Sequence, residues 1–386
     1  MRLKFCYLLF LLVFGLFFLT SCAKTQIEQI PSQTIPQLPH DLNEEQVDEA
    51  SEVKRVNPLT IREGHFQSIY GWLDQETILW SYEQAGTYYL STHQLFSNES
   101  TIIFTTSAPI VDVIVHPDRE KILIHTSPHT YGAEIFIIDV KGDMDYSTEI
   151  ESHELAFEWS DTDDSKLLIT AFNADWSYKV YSVNTTTKQL TERNHLQPFM
   201  KWYGDQTVIE QRWEENGLSF FAPLWKTPLA DQQSSALLLE NVYHFDVFSD
   251  YLMAITVPDN DQTKIEYHFY NQSMEELGTR AVPNLTQFSD WLIPHYDYRV
   301  SDHQFFTFIP QKHGSVDMYN DGFALIQLDL DDLSETVVSD QLENKPIRCA
   351  PEGELCLYGY QLEELLHLES GKIESIVNNE KSEASN

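Results

Sequence analysis

Basic side chains are scarce in this chain. Its 386 residues hold 24 Lys and Arg against 60 Asp and Glu, a formal charge of -36. So negative a surface repels nucleic-acid phosphates and anionic lipid headgroups, and neither is expected as a partner. Cysteine is rarer still, with four in the whole chain, and no Cys/His spacing of a zinc knuckle occurs. The sequence also has no G-x-S-x-G elbow and no Gly-rich phosphate loop, which argues against serine-hydrolase and nucleotide chemistry. His153-Glu154 begins like a zincin helix, but Phe157 stands where the second His is required. His125 and His129 are separated by Pro128 and cannot share a helix face. Beyond the N-terminus no apolar run reaches the roughly 18 residues that a span needs.

What is present begins at the N-terminus. Arg2 and Lys4 precede an apolar stretch from Phe5 to Leu19, which ends in Leu19-Thr20-Ser21-Cys22. Basic n-region, apolar h-region, small residues and a cysteine are the layout of a bacterial lipoprotein signal. The reading is cleavage before Cys22 and lipidation of Cys22, with palmitate among the acyl chains. The alternatives are an ordinary secretory signal or an uncleaved anchor helix. Residues 22–62 carry Pro31, Pro36, Pro39 and Pro58 with little apolar periodicity, and read as a disordered tether. Such a coil would span roughly 35 Å. The remainder divides into a folded domain over residues 63–378 and a disordered tail over 379–386. With 42% hydrophobic and 13% aromatic residues in the whole chain, that domain has material for a large core.

From Phe66 onward the chain repeats. A turn with an acidic residue recurs at Leu73-Asp74, Pro117-Asp118, Ser160-Asp161, Gly204-Asp205, Ser249-Asp250, Ser301-Asp302 and Pro351-Glu352, at intervals of 43 to 52 residues. An apolar run follows each, as in Ile78-Leu79-Trp80 and Ile122-Leu123-Ile124, and then a loop and further strand-like stretches. A unit of four short strands cannot bury both faces of its own sheet and must stack on its neighbours. The expected fold is all-β, a single β-propeller of four-stranded blades. Seven acidic turns favour seven blades; six would follow if the first and last units shared one.

Gly71-Trp72-Leu73, Ser107-Ala108-Pro109-Ile110-Val111, Gln197-Pro198-Phe199-Met200-Lys201-Trp202 and the stretch from Cys349 to Tyr360 carry a likeness. With them the chain resembles the YqgU-like lipoproteins of Gram-positive bacteria, from the lipobox to about Ile376. The resemblance implies an extracytoplasmic, lipid-anchored β-propeller on the outer face of the cell membrane, usually called six-bladed, and it implies no enzymatic activity. The proline-aspartate turns are also similar, in a generic way, to those of TolB-like propellers.

Candidate site residues lie on the loops between the second and third strands of each unit and on the links between units. The longest such loop runs from Pro310 to Gly322. His129, Tyr131, Asp175, Trp176, Trp213, Glu214, Asp297, His313, Asp317 and Tyr319 form the candidate ligand face. Rings there stack on apolar surfaces while polar groups fix orientation. The competing reading is blade-to-blade packing. Cys349 and Cys356 flank a tight turn, which permits a disulfide in an oxidising exterior. No metal site and no cofactor are expected, although Asp161-Thr162-Asp163-Asp164 and Asp259-Asn260-Asp261 have a weak likeness to Ca2+ loops without the turn glycine or distant Glu. The function expected is non-enzymatic binding or scaffolding by a monomer, with an envelope protein or glycan as partner and the membrane held through the lipid on Cys22. The alternative is a cell-wall glycan hydrolase or lyase, with Glu83, Asp175, Glu214, Asp297 and Asp317 as the first carboxylates to inspect.

Overall fold

The computed structural model describes residues 55–61, 63–214, 219–288 and 290–379. The signal segment 1–21, Cys22 and residues 380–386 lie outside the described residues. Among the described residues seven four-stranded antiparallel sheets follow one another along the chain, and they are numbered here as blades 1 to 7. Their first strands are His65–Trp72, Ile110–Val115, Glu154–Trp159, Lys201–Trp202, His244–Phe248, Tyr296–Arg299 and Ile347–Cys349. First strands of neighbouring blades touch, so these strands line the central channel and the fourth strands form the rim. The only described helices are two short 3-10 turns, Gln232–Ser234 and Val316–Met318.

The recurring acidic turn joins each first strand to its second, and in several blades its carboxylate closes the turn. In blade 1 Asp74 Oδ1 accepts from the backbone N–H groups of Glu76 and Thr77, both at 2.7 Å. Asp118 accepts from Glu120 N–H at 2.8 Å in blade 2. A short acidic side chain here satisfies turn donors that no ladder reaches, which is why Asp recurs with the blade period. In blade 3 the same task falls to Asp163, two residues beyond the turn read from the sequence. Ser165 and Lys166 hold its carboxyl down at about 2.

The core is a ring of seven hydrophobic clusters, one at each blade boundary. The second strands are buried on both faces, as in Ile78-Leu79-Trp80 and Leu167-Leu168-Ile169, because each lies between two neighbours. Blade contacts are also stitched by hydrogen bonds across one period. Trp202 Nε1 donates to Glu158 O at 3.0 Å, His116 Nε2 meets Ser160 O at 2.8 Å, and Trp72 Nε1 donates to Arg348 O at 2.8 Å across the ring closure.

The closure corrects the expected domain limits. Leu59–Ile61, inside the stretch expected to be tether, forms a strand that pairs in parallel with Val377–Asn379. Leu59, Ile61 and Ile376 then pack with Ile69, Trp72 and Leu357, which joins blade 1 to blade 7. Among the described residues no strand is shared between the two blades, so the ring keeps seven four-stranded sheets.

Candidate functional site

In a meander of antiparallel strands, the loops between second and third strands and the links between blades emerge at one end. The acidic turns emerge at the other. Eight aromatic side chains stand exposed among the described residues: Tyr131, Trp176, Tyr178, Phe199, Trp213, Phe220, Phe288 and Tyr360. All eight lie at the loop end, and none at the acidic-turn end.

The candidate residues divide into three groups. Tyr131, Trp176 and Trp213 project from the loop face, with Trp176 66% exposed. Glu214, His313 and Asp317 are exposed on the same face. Other members are occupied with local structure. Asp175 accepts from Ser177 N–H at 3.0 Å and from its hydroxyl at 2.6 Å, which holds its carboxyl below the usual range. Tyr319 donates to Gly322 O at 2.6 Å and accepts from Gln311 N–H at 2.6 Å, fixing its own loop. The His129 ring folds over Gly132, where any Cβ would collide with it. Asp297 does not belong to the loop face at all. It sits on the first strand of blade 6 and faces blade 7, where Oδ2 accepts from Cys349 N–H at 2.7 Å and Oδ1 lies 3.5 Å from Arg348.

The longest loop, Pro310 to Gly322, is not all irregular but is knitted into a small sheet. Gly314–Ser315 pairs in parallel with Leu285–Gln287, which pairs in turn with Asp290–Trp291 of the link between blades 5 and 6. This small sheet raises Phe288 to 92% exposure at its hairpin tip, and Met318 is also exposed, on the loop that supplies Gly314–Ser315. Behind it Phe220, Phe221 and Tyr243 pack on Trp291, with Phe221 and Tyr243 centred 5.5 and 5.3 Å from it, as the packing reading expects. Along the outer edge of blades 2 and 3, Tyr131, Glu149, Glu151, His153, Asn173 and Lys179 border a groove of about 650 Å³.

The channel is a second polar region, and its residues were not among the candidates apart from Asp297. Lys201 of blade 4 bridges Glu158 of blade 3 at 3.2 Å and Asp246 of blade 5 at 3.1 Å. Tyr296 of blade 6 donates to Asp246 at 2.8 Å and contacts His244 Nε2 at 3.0 Å. Burial pushes Glu158 up to about 7, with Asp246 adding to the rise and Lys201 opposing it. The two carboxylates raise Lys201. Asp112, Glu158, Lys201, Asp246, Asp297 and Arg348 stand on first strands at intervals of 43 to 51 residues. A charged residue recurring with the blade period before the turn in six of the seven blades is the signal that reveals them.

Among the described residues no three His, Cys, Asp or Glu side chains are grouped to hold a metal ion. In the two stretches compared with Ca2+ loops the carboxylates serve the protein. Asp161 accepts from Ser249 N–H, Asp164 pairs with Lys121 at 2.9 Å, and Asp261 pairs with Lys264 at 3.1 Å. Cys349 and Cys356 face one another across the first two strands of blade 7 and are joined in a disulfide.

Radial four-stranded sheets around a polar channel make this chain a β-propeller. It belongs to the YqgU-like family, since residues 94–359 match the family described as the YqgU-like 6-bladed beta propeller domain. The matched stretch begins in the third strand of blade 1 and ends in blade 7, so it takes in five whole sheets and parts of two. Seven sheets is where this chain departs from the six of that description. The chain is 25% identical to the uncharacterized lipoprotein YqgU of Bacillus subtilis (strain 168) over 333 residues, 86% of this chain and 89% of that one. The crystal structure of uncharacterized protein lmo1340 from Listeria monocytogenes EGD-e is similar in fold, with a TM-score of 0.79 at 23% identity, covering 85% of this chain and 99% of the other. The β-propeller domain of the Trilobed protease from Pyrococcus furiosus aligns with a TM-score of 0.53 at 14% identity, covering 82% and 99%.

Proposed function

We propose that the chain is a lipid-anchored binding module on the outer face of the membrane, whose loop face engages another protein. The observation that carries this reading is the segregation of all eight exposed aromatic side chains onto that face. Exposed Trp, Tyr, Phe and Met are the residues that anchor protein interfaces, whereas a protein kept soluble by its charge has no use for Phe288 and Met318 in water. The cysteine motif at Cys22 and the lipoprotein name of the Bacillus subtilis relative support the anchor. A partner with a basic rim suits the -36 charge of this chain.

The glycosidase alternative, read from Glu83, Asp175, Glu214, Asp297 and Asp317, needs a pair of free carboxylates facing one another in the funnel. Glu158 and Asp246 are instead both ion-paired with Lys201, at 3.2 and 3.1 Å. Binding is therefore the better supported reading.

Photo-crosslinking in cells tests it, with a crosslinking residue placed at Phe288, at Trp176, or at Asp205 on the opposite face of the full-length lipoprotein. One protein joined from Phe288 and Trp176 but not from Asp205 is the expected result. Its capture should be lost in a Trp213→Ser, Met318→Ser variant. Equal crosslinking from both faces, or crosslinks to wall glycan alone, would remove the protein-binding reading.

A further inference from the structure

Most channel carboxylates are more fully engaged than the channel's cations; Asp112 is the exception, with Oδ1 accepting from its neighbour Val113 N–H at 2.8 Å. Both oxygens of Asp297 are engaged, by Cys349 N–H and Arg348. Glu158 accepts from Lys201 and from Trp202 N–H, and Asp246 accepts from Lys201, Val247 N–H and Tyr296. The cations are less satisfied. Three other arginines are tightly paired with carboxylates, Arg299 with Asp302 at 2.6 Å, Arg212 with Glu210 at 2.7 Å and Arg280 with Glu335 at 3.0 Å. Arg348 instead reaches Asp297 only at 3.5 Å and a backbone oxygen at 3.2 Å, and its side chain is 56% exposed within the ring. Arg119, swung inward from the acidic turn of blade 2, donates among the described residues to Pro117 O at 3.1 Å. A guanidinium has five N–H donors, so most of those on Arg119 and Arg348 point at no acceptor among the described residues. With Lys201 they line one chamber of about 640 Å³, against the carboxylates of Asp112 and Asp297.

We infer that this chamber is a binding site for a single oxyanion group, a carboxylate or a phosphodiester, held between Arg119 and Arg348. Two guanidinium forks facing a common space suit the planar or tetrahedral oxygens of such a group, and charge-assisted hydrogen bonds there replace those made to channel water. The negative field of the whole molecule excludes polyanions, so the ligand is a chain end or pendant group with one negative charge. This site lies inside the ring and does not depend on the aromatic loop face, so either can fail without the other.

Calorimetric titration of the full-length protein in neutral detergent tests the inference, using two monoanions, N-acetylalanine and dimethyl phosphate. At least one should bind at millimolar concentration or below. Arg119→Gln and Arg348→Gln should each weaken it roughly tenfold, Arg348→Lys should restore part of the loss, and Arg280→Gln should leave it unchanged. Binding of N-acetylalanine alone assigns the site to carboxylates, and binding of dimethyl phosphate alone to phosphodiesters. If Arg348→Gln unfolds, Arg119→Gln decides, because its side chain bonds only its own turn. Absence of binding by both probes overturns the site, as does binding that survives both Gln variants or is lost equally in Arg280→Gln.

Discussion

Glu158 shows how the channel couples charge to stability. Its carboxyl is raised from 4.5 to about 7, mainly by burial, so the folded state favours the protonated form. The stability tied to that proton is fully present below the unfolded value and is lost as pH rises through about 7. His125 acts in the opposite direction. Packed edge-on against Phe157 at 5.6 Å, it is lowered by burial from 6.5 to about 4, so its contribution is present above the unfolded value and is lost as pH falls through about 4. Urea unfolding at a series of pH values should show Glu158→Gln flattening the decline between pH 5 and 8 while leaving the acid limb to His125. An unchanged slope in that variant would show that another group sets it. Single residues also explain which candidates were legible in the sequence. Trp176 and Trp213 were found because an aromatic side chain in a polar loop has few ways to be buried. Asp297 was placed on the wrong surface because its position just after Trp291 and Pro294 looked like loop, whereas the chain there has already entered the innermost strand.

At the scale of elements, the ring is only as strong as its closing contact. Leu59 is 1% exposed and packs in the cluster between blades 7 and 1, on a strand held by three residue pairs. Leu59→Ala should cost about 2–4 kcal/mol, from lost burial and the cavity left behind. Denaturant titration of the full chain measures it, and a cost below that of the exposed substitution Leu237→Ala would mean that the strand does not close the ring. This element was missed for a physical reason. Three residues in a proline- and glutamine-rich stretch have no periodicity, and only a partner more than 300 residues away makes them a strand. The accessory sheet of Leu285–Gln287, Asp290–Trp291 and Gly314–Ser315 escaped in the same way, since its strands are two or three residues long.

Across the whole molecule, most of the chain's 60 acidic residues fall within the ring and repel one another. Screening should therefore stabilise the fold, and the thermal midpoint should rise by a few degrees when NaCl is raised to about 0.15 M. A midpoint that falls would show that ion pairs such as Lys201 with Glu158 and Asp246 outweigh surface repulsion. The same charge bears on partners, because a face rich in Trp and Phe set in a negative field selects neutral or basic surfaces.

The sequence by itself determined the class of fold and the period of its units, while closure of the ring decided that the blades number seven. A blade needs a turn at a fixed interval, and turn chemistry is local, so Asp74, Asp118 and Asp302 record the period without reference to anything distant. It also determined the cysteine motif at Cys22, whose meaning depends on consecutive residues alone. What only the tertiary structure decided is which side chains share a space. Arg119, Lys201, Asp297 and Arg348 come from four blades and meet because the sheets close into a ring, and the eight exposed aromatics share a face because every meander returns its loops to the same end. Both are consequences of closure, a property of the whole ring that no window of the sequence contains.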